Sequence, residues 1–312
     1  MTSTLPDQPD LSCTLAGLPM PNPVMTAAGC AAARELSPFL DVAALGAFVT
    51  GSVTLDPSAG PAGPRLLETP SGVLHDVGVQ NPGLQGFLAG ELPWLAQRGA
   101  RTVVSVAGHS LGEYAELARR VGDSPGVWAV EVNLDCASRD VSGRPFAEDP
   151  YHAGKVLGVV RLGVPRGVPV LAKLRWHPGL VDAARAVVEA GADGVVVSGQ
   201  VPGAAVDRAS LRTVFGALSG PAVHALAVHA VWQVHAALPE VPVVGVGGVR
   251  SGWDALELLL AGASAVQVGA ATLHDPTAPV RVVQELGVEV VARGTNRTGE
   301  IVGLAHRQGE TR

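Results

Sequence analysis

Lysine is nearly missing from this chain: Lys155 and Lys173 are the only two, and arginine carries almost all the positive charge. A bias toward arginine codons accounts for the scarcity, but a lysine kept in such a chain calls for a reason. A basic surplus is missing too. The formal net charge is −6, which excludes the broad cationic surface that nucleic acid requires. The three cysteines, Cys13, Cys30 and Cys136, show no C-x-x-C spacing, which excludes a self-contained zinc or iron–sulfur site and fits a reducing cytoplasm. No apolar run is long enough to span a bilayer, and MTSTLPDQPD has neither the basic nor the apolar region of a signal peptide. No G-x-G-x-x-G follows an early strand, which argues against an open dinucleotide-binding sheet.

What is present is apolar: 47% of the 312 residues are hydrophobic and only 16% charged, enough for a large core. Strand-length apolar runs recur at Pro23–Ala28, Gly46–Thr50, Thr102–Ala107, Val127–Asn133, Val168–Leu174, Gly194–Ser198, Val241–Val246 and Ala265–Gly269. Segments of helical periodicity, such as Ser110–Val121, Leu180–Ala190 and Ala222–Leu238, lie between them. Short, wholly apolar strands alternating with amphipathic helices mean a parallel sheet covered by helices. Eight repeats predict an α/β chain closed into a (β/α)8 TIM barrel, with an open doubly wound sheet as the alternative. No linker divides residues 1–312, so one domain is expected, with the barrel over about residues 15–290 and a solvated tail over about 291–312. The stretches Gly51–Gly83 and Ala137–Pro150 leave C-terminal strand ends and are expected as long loops over the catalytic mouth.

The richest stretch is Val241–Leu273, VPVVGVGGVRSGWDALELLLAGASAVQVGAATL. One apolar strand stops at Gly247-Gly248; a helix follows, and a second strand stops at Gly269. Backbone N–H groups at two such strand ends can close on one phosphate with no side chain in the way. In a (β/α)8 barrel the phosphate site forms here, after the last two strands.

Lys173, in PVLAKLRWHP, ends the fifth strand. It is either a snorkelling surface lysine or an ammonium aimed at an anion in the mouth. Asn133, at the end of the fourth strand, offers a donor and an acceptor. Cys136, three residues on, is either a small buried cysteine or a nucleophile or base whose pKa is brought toward neutrality. Asp135, if close in space, would raise that thiol. His224, His229 and His235 share no helix face, so no metal site is expected from them.

Taken together, PNPVMTAAGC, LPW, GVQNPGL, VEVNLDC, LAKL, LSGPA, GVGGVRS and LAGASAVQVGAA stand in the order and approximate spacing of the class 1 dihydroorotate dehydrogenases. The chain resembles that family from about Leu15 to Leu273, most closely its NAD-linked branch. The resemblance implies an FMN barrel that oxidises dihydroorotate to orotate in pyrimidine synthesis. A loop cysteine there takes the C5 proton as hydride passes to the flavin. By that likeness Gly247, Gly248, Gly269 and Ala270 would hold the FMN phosphate, with Gly220 nearby, and Ala28, Ser52, Ser105 and Ser198 would line the flavin. Lys173 would face its pyrimidine edge, Asn133 would touch flavin and substrate, and Cys136 would be the base. Gly51, His75, Gly78, Gly199 and Gln200 would stand around the substrate. The likeness also implies a homodimer and a second subunit carrying FAD and an iron–sulfur cluster.

The sequence departs from the pattern around the substrate. The family's lysine after the second strand is Gly51, and its substrate asparagine is His75. N-x-S-C-P-N reads Asn133-Leu134-Asp135-Cys136-Ala137-Ser138, I-N-T reads Ser198-Gly199-Gln200, and a flavin-side asparagine is Ser105. Arg250 or His75 would restore the positive charge that meets a substrate carboxylate, His75 only when protonated. Three readings follow: a dihydroorotate dehydrogenase, a diverged FMN barrel for another cyclic substrate, and an FMN-binding protein without turnover.

Overall fold

The computed structural model describes residues 9–30, 32–62, 65–137, 143–198 and 200–307. The eight expected strands are all there: β1 Val24–Thr26, β2 Phe48–Val49, β3 Thr102–Val106, β4 Val127–Asn133, β5 Val170–Lys173, β6 Gly194–Val197, β7 Val243–Val246 and β8 Ala265–Val268. They form one sheet in the order β1-β8-β7-β6-β5-β4-β3-β2, parallel at every pairing. A parallel bridge between Met25 and Ala47, with the Gly46 N–H donating to the Val24 carbonyl at 2.8 Å, joins β1 to the entry of β2 and closes the barrel.

Alternate strand residues divide between two apolar layers. Met25, Ala27, Val49, Val103, Ala129, Leu171, Val196, Val244, Val246 and Ala265 fill the interior. Leu15 and Met20, on the hairpin strands Cys13–Leu15 and Leu18–Met20, join them from the N-terminal end. Their strand neighbours, among them Val104, Val130, Val170, Val195 and Val243, face outward to the helices. Those helices start where local chemistry says they should. Ser110 caps Leu111–Gly122 by accepting from the Glu113 N–H, and Asp149 caps Pro150–Gly163, with proline in the first turn. No helix among the described residues is long and apolar enough to cross a membrane.

Two expectations need correction. The excursion after β2 is not all loop: Leu66–Thr69 and Gly72–His75 form a hairpin. That hairpin pairs with a second one, Val201–Val206 and Thr213–Ser219, from the excursion after β6. The result is a four-stranded antiparallel sheet over the mouth. Its strands are short and alternate half-buried with exposed positions, a weak signal inside Pro- and Gly-rich sequence.

The segment expected as a solvated tail is docked as far as Arg307. Thr298 and Ile301 are each 1% exposed, the Gly303 N–H donates to the Leu259 carbonyl, and the His306 ring stacks on Trp232 at 4.9 Å. Its polar composition concealed a few apolar anchors.

Candidate active site at the barrel mouth

Lys173 closes β5 pointing into the barrel, and the structure explains why it is tolerated there. Its Nζ donates to Glu131 Oε1 at 3.1 Å and to Gln267 Oε1 at 2.9 Å, while Gln267 Nε2 donates to Glu131 Oε2 at 2.6 Å. Glu131 is wholly buried, so this ring of contacts is what makes its carboxylate affordable. Two of the three ammonium donors are taken; one is left for a ligand at the mouth. Sequence reading missed Glu131 and Gln267. Glu131 in VWAVEVN and Gln267 in AVQV carry the same signal as Lys173, a polar residue inside an apolar strand.

Gln267 leads directly to the glycine cradle, since Gly269 lies two residues beyond it. Across the β7–β8 pairing, Gly247 and Gly248 turn with φ of 137° and 72°, which only glycine adopts freely. Among the described residues, no protein acceptor takes the N–H groups of Gly248, Gly269 or Ala270. Unpaired backbone donors at two adjacent strand ends fit an anionic group such as a phosphate. Gly248 also needs its lack of a side chain on its other face, where a Cβ would lie 2.6 Å from the His224 Cβ. Gly220 (φ 96°) is likewise required by a close approach, its Cβ position being 2.8 Å from Gly72 Cα.

A second network runs from β2 to β4. Ser52 Oγ and Ser105 Oγ lie 2.9 Å apart, and Asn133 Nδ2 donates to Ser52 at 3.1 Å. Asn133 Oδ1 accepts the Asp135 N–H at 3.0 Å, and the Tyr114 hydroxyl donates to the Asn133 carbonyl. The acceptor expected to meet a ligand is therefore already engaged, and one amide hydrogen is free. Ala28 is half-buried after β1, and Ser198 is buried after β6 with its carbonyl 3.8 Å from the Cβ position of Gly247.

Cys136 is buried, and its thiol is pushed up to about 12, by burial first and then by the carboxylates of Asp135 and Glu113. Burial likewise lifts Asp135 to about 6, with Glu148 adding to the rise and Arg175 and Lys173 opposing it. Arg175 approaches Asp135 at 3.1 Å and Glu148 at 3.4 Å. The first contact is not aligned as a hydrogen bond, so among the described residues both Asp135 oxygens are buried without a donor. The thiol is thus held protonated in this conformation.

The expected substrate positions differ in their surroundings. Among the described residues, chain neighbours aside, no atom lies within 4 Å of a Cβ built on Gly51, so a side chain there would start into open space. His75 Nε2 is 2.8 Å from Ser219 Oγ, and burial lowers its pKa against the pull of Asp76. Burial thus works against the protonated form that a contact with a substrate carboxylate would need. Arg250 is 65% exposed and leans on Asp254 at 3.9 Å. Gly78 turns with φ 48° beside Pro61, lining a 410 Å³ cleft with Thr54, His109 and Glu113. Gln200 is exposed, and Gly199 lies outside the described residues.

Comparison of the sequence with known proteins finds a family. The family model described as "Dihydroorotate dehydrogenase" matches residues 10–290. The chain belongs to the dihydroorotate dehydrogenase family. Its relatives include proteins named "Dihydroorotate dehydrogenase B (NAD(+)), catalytic subunit". The one from Desulforudis audaxviator is 42% identical over 303 residues, covering 95% of this chain and 97% of the relative. Those from Pelobacter propionicus and Geobacter sulfurreducens are each 39% identical, covering 95% of this chain and 98% of the relative. Enzymes of the dihydroorotate dehydrogenase family are flavin-dependent dehydrogenases acting on a CH–CH bond, and this chain is one of them.

Proposed function

We propose that this chain oxidises dihydroorotate to orotate in pyrimidine synthesis, with FMN as its flavin. One observation carries the reading: the Lys173–Glu131–Gln267 ring reaches, through Gln267, the strand that ends at Gly269, and among the described residues the N–H groups of Gly248, Gly269 and Ala270 have no protein acceptor. Gly247, Gly248, Gly269 and Ala270 would hold the phosphate, and the Ala270 methyl is the only side chain those four positions carry. Ala28, Ser52, Ser105 and Ser198 would line the flavin. When bound, FMN supplies the hydride acceptor. Lys173 offers its remaining N–H to negative charge at the flavin's pyrimidine edge, with Glu131 and Gln267 fixing where that N–H points. Asn133 offers its free amide hydrogen to the substrate. Cys136 takes the proton next to the substrate carbonyl, and to do so it must first lose its own.

The relatives' printed name and the absence of a dinucleotide fingerprint or cluster spacing support an assembly in which a second subunit, carrying FAD and an iron–sulfur cluster, passes electrons to NAD. That subunit would sit around a homodimer of this chain in a reducing cytoplasm.

A second reading, a related cyclic substrate without the carboxylate, is favoured by the open space at Gly51 and by the burial that disfavours a charged His75. Purified protein should be yellow and release FMN; a colourless protein that takes up no added FMN overturns the flavin assignment. Anaerobic titration with dihydroorotate should bleach the flavin. Gly51→Lys should tighten orotate binding by roughly ten- to hundredfold, the worth of one charge-assisted hydrogen bond. Bound FMN with no bleaching in either protein would favour the second reading.

A further inference from the structure

His224, the first residue of the His224–Ala237 helix, stands behind the glycine turn that ends β7. Its side chain is 14% exposed, and each ring nitrogen faces an oxygen. Nδ1 lies 3.1 Å from the Gly247 carbonyl; Nε2 lies 3.1 Å from a Glu257 carboxylate oxygen and 3.9 Å from one of Asp254. A neutral imidazole has one N–H and one lone pair, so it satisfies one acceptor and turns a lone pair on the other. The imidazolium satisfies both.

The surroundings are mixed in charge. Glu257 and Asp254 come from the Gly252–Leu260 helix. Arg250 leans on Asp254, and Arg281, from the Ala278–Val291 helix, donates to the Arg250 carbonyl and pairs with Glu285. The helix that His224 begins carries no Asp, Glu, Lys or Arg.

One peptide plane links this ring to the cradle. The Gly247 carbonyl and the Gly248 N–H belong to the same trans peptide and point in opposite directions. A carbonyl drawn toward His224 therefore sends the unpaired Gly248 N–H the other way. We infer that His224, as an imidazolium, is a positioning residue of the flavin-phosphate cradle, aiming the Gly248 N–H and adding positive charge behind it. The inference rests on the FMN reading above. It makes phosphate affinity depend on the charged ring, which favours a phosphate dianion more than an uncharged side chain in its place does.

The experiment compares wild type with His224→Asn, whose amide can still donate to the Gly247 carbonyl but carries no charge. Dissociation constants for FMN and for riboflavin, which lacks the phosphate, are read by flavin fluorescence at about pH 7. The ratio of variant to wild type should be at least about fivefold for FMN and near one for riboflavin. An FMN ratio no larger than that of riboflavin overturns the role of His224. Should the asparagine variant not fold, His224→Gln provides the same comparison. If wild type binds neither FMN nor riboflavin, the flavin reading itself has failed, a result distinct from equal ratios.

Discussion

Replacing Asp135 by Asn should make flavin reduction faster, and the structure says over which pH range. Cys136 sits at about 12 rather than its ordinary 9.0, with burial the larger cause and the Asp135 carboxylate the next. At pH 8 a thiol at about 12 is ionised to roughly one part in 10⁴, against about one part in ten for an ordinary thiol. If thiolate is the base, the wild-type rate should rise about tenfold per pH unit from pH 6 to 9 without a plateau. Asn at 135 keeps the side-chain shape and removes the charge, so the thiol falls and the reduction rate at pH 8 should rise roughly tenfold, one pKa unit's worth. Asp135 itself titrates at about 6, and below that its carboxyl is neutral and repels no thiolate. The two proteins should therefore converge in acid and separate as the pH climbs through that value. Anaerobic stopped-flow bleaching with dihydroorotate, in a single turnover, measures this, with Cys136→Ala as the floor at least about 10² slower. A wild-type rate that is flat above pH 7, or an Asp135→Asn protein no faster than wild type at pH 8, would refute the reasoning.

Two further outcomes are expected. Lys173→Met leaves the wholly buried Glu131 carboxylate without its cation and should cost about 3–5 kcal/mol in urea unfolding, part of which Glu131→Gln in the same chain should restore. Gly248→Ala must hold a φ of 72° and place its Cβ against His224, so it should lose roughly 1–3 kcal/mol of stability in the flavin-free protein and most of its FMN retention. Unchanged melting of the flavin-free variant would mean that the His224 side of the turn has room to move.

The eightfold alternation of apolar strands and amphipathic helices was legible in the sequence because each (β/α) unit repeats one local pattern. The strand ends at Gly247-Gly248 and Gly269 were legible for the same reason: glycine at the end of an apolar run is a local signal. What could not be read is direction. A strand buried on both faces shows no polar–apolar alternation, so nothing local said that Glu131, Lys173 and Gln267 share the interior rather than the helix side. Their meeting joins residues 42 and 94 positions apart, and only closure of the barrel brings β4, β5 and β8 around one centre. The mouth sheet is similar, since its two hairpins are each marginal alone and become a sheet only where His75 meets Ser219 across 144 positions. Composition named Cys136 and Asp135 as neighbours and gave the direction of the thiol's shift. How far it shifts depends on how completely the fold removes water from that loop. Local sequence therefore decided the strands, the helices and the glycine turns, because their chemistry lies within a few residues. The tertiary structure decided which polar groups face one another and how dry they are, because both depend on parts of the chain that meet only after the barrel has closed.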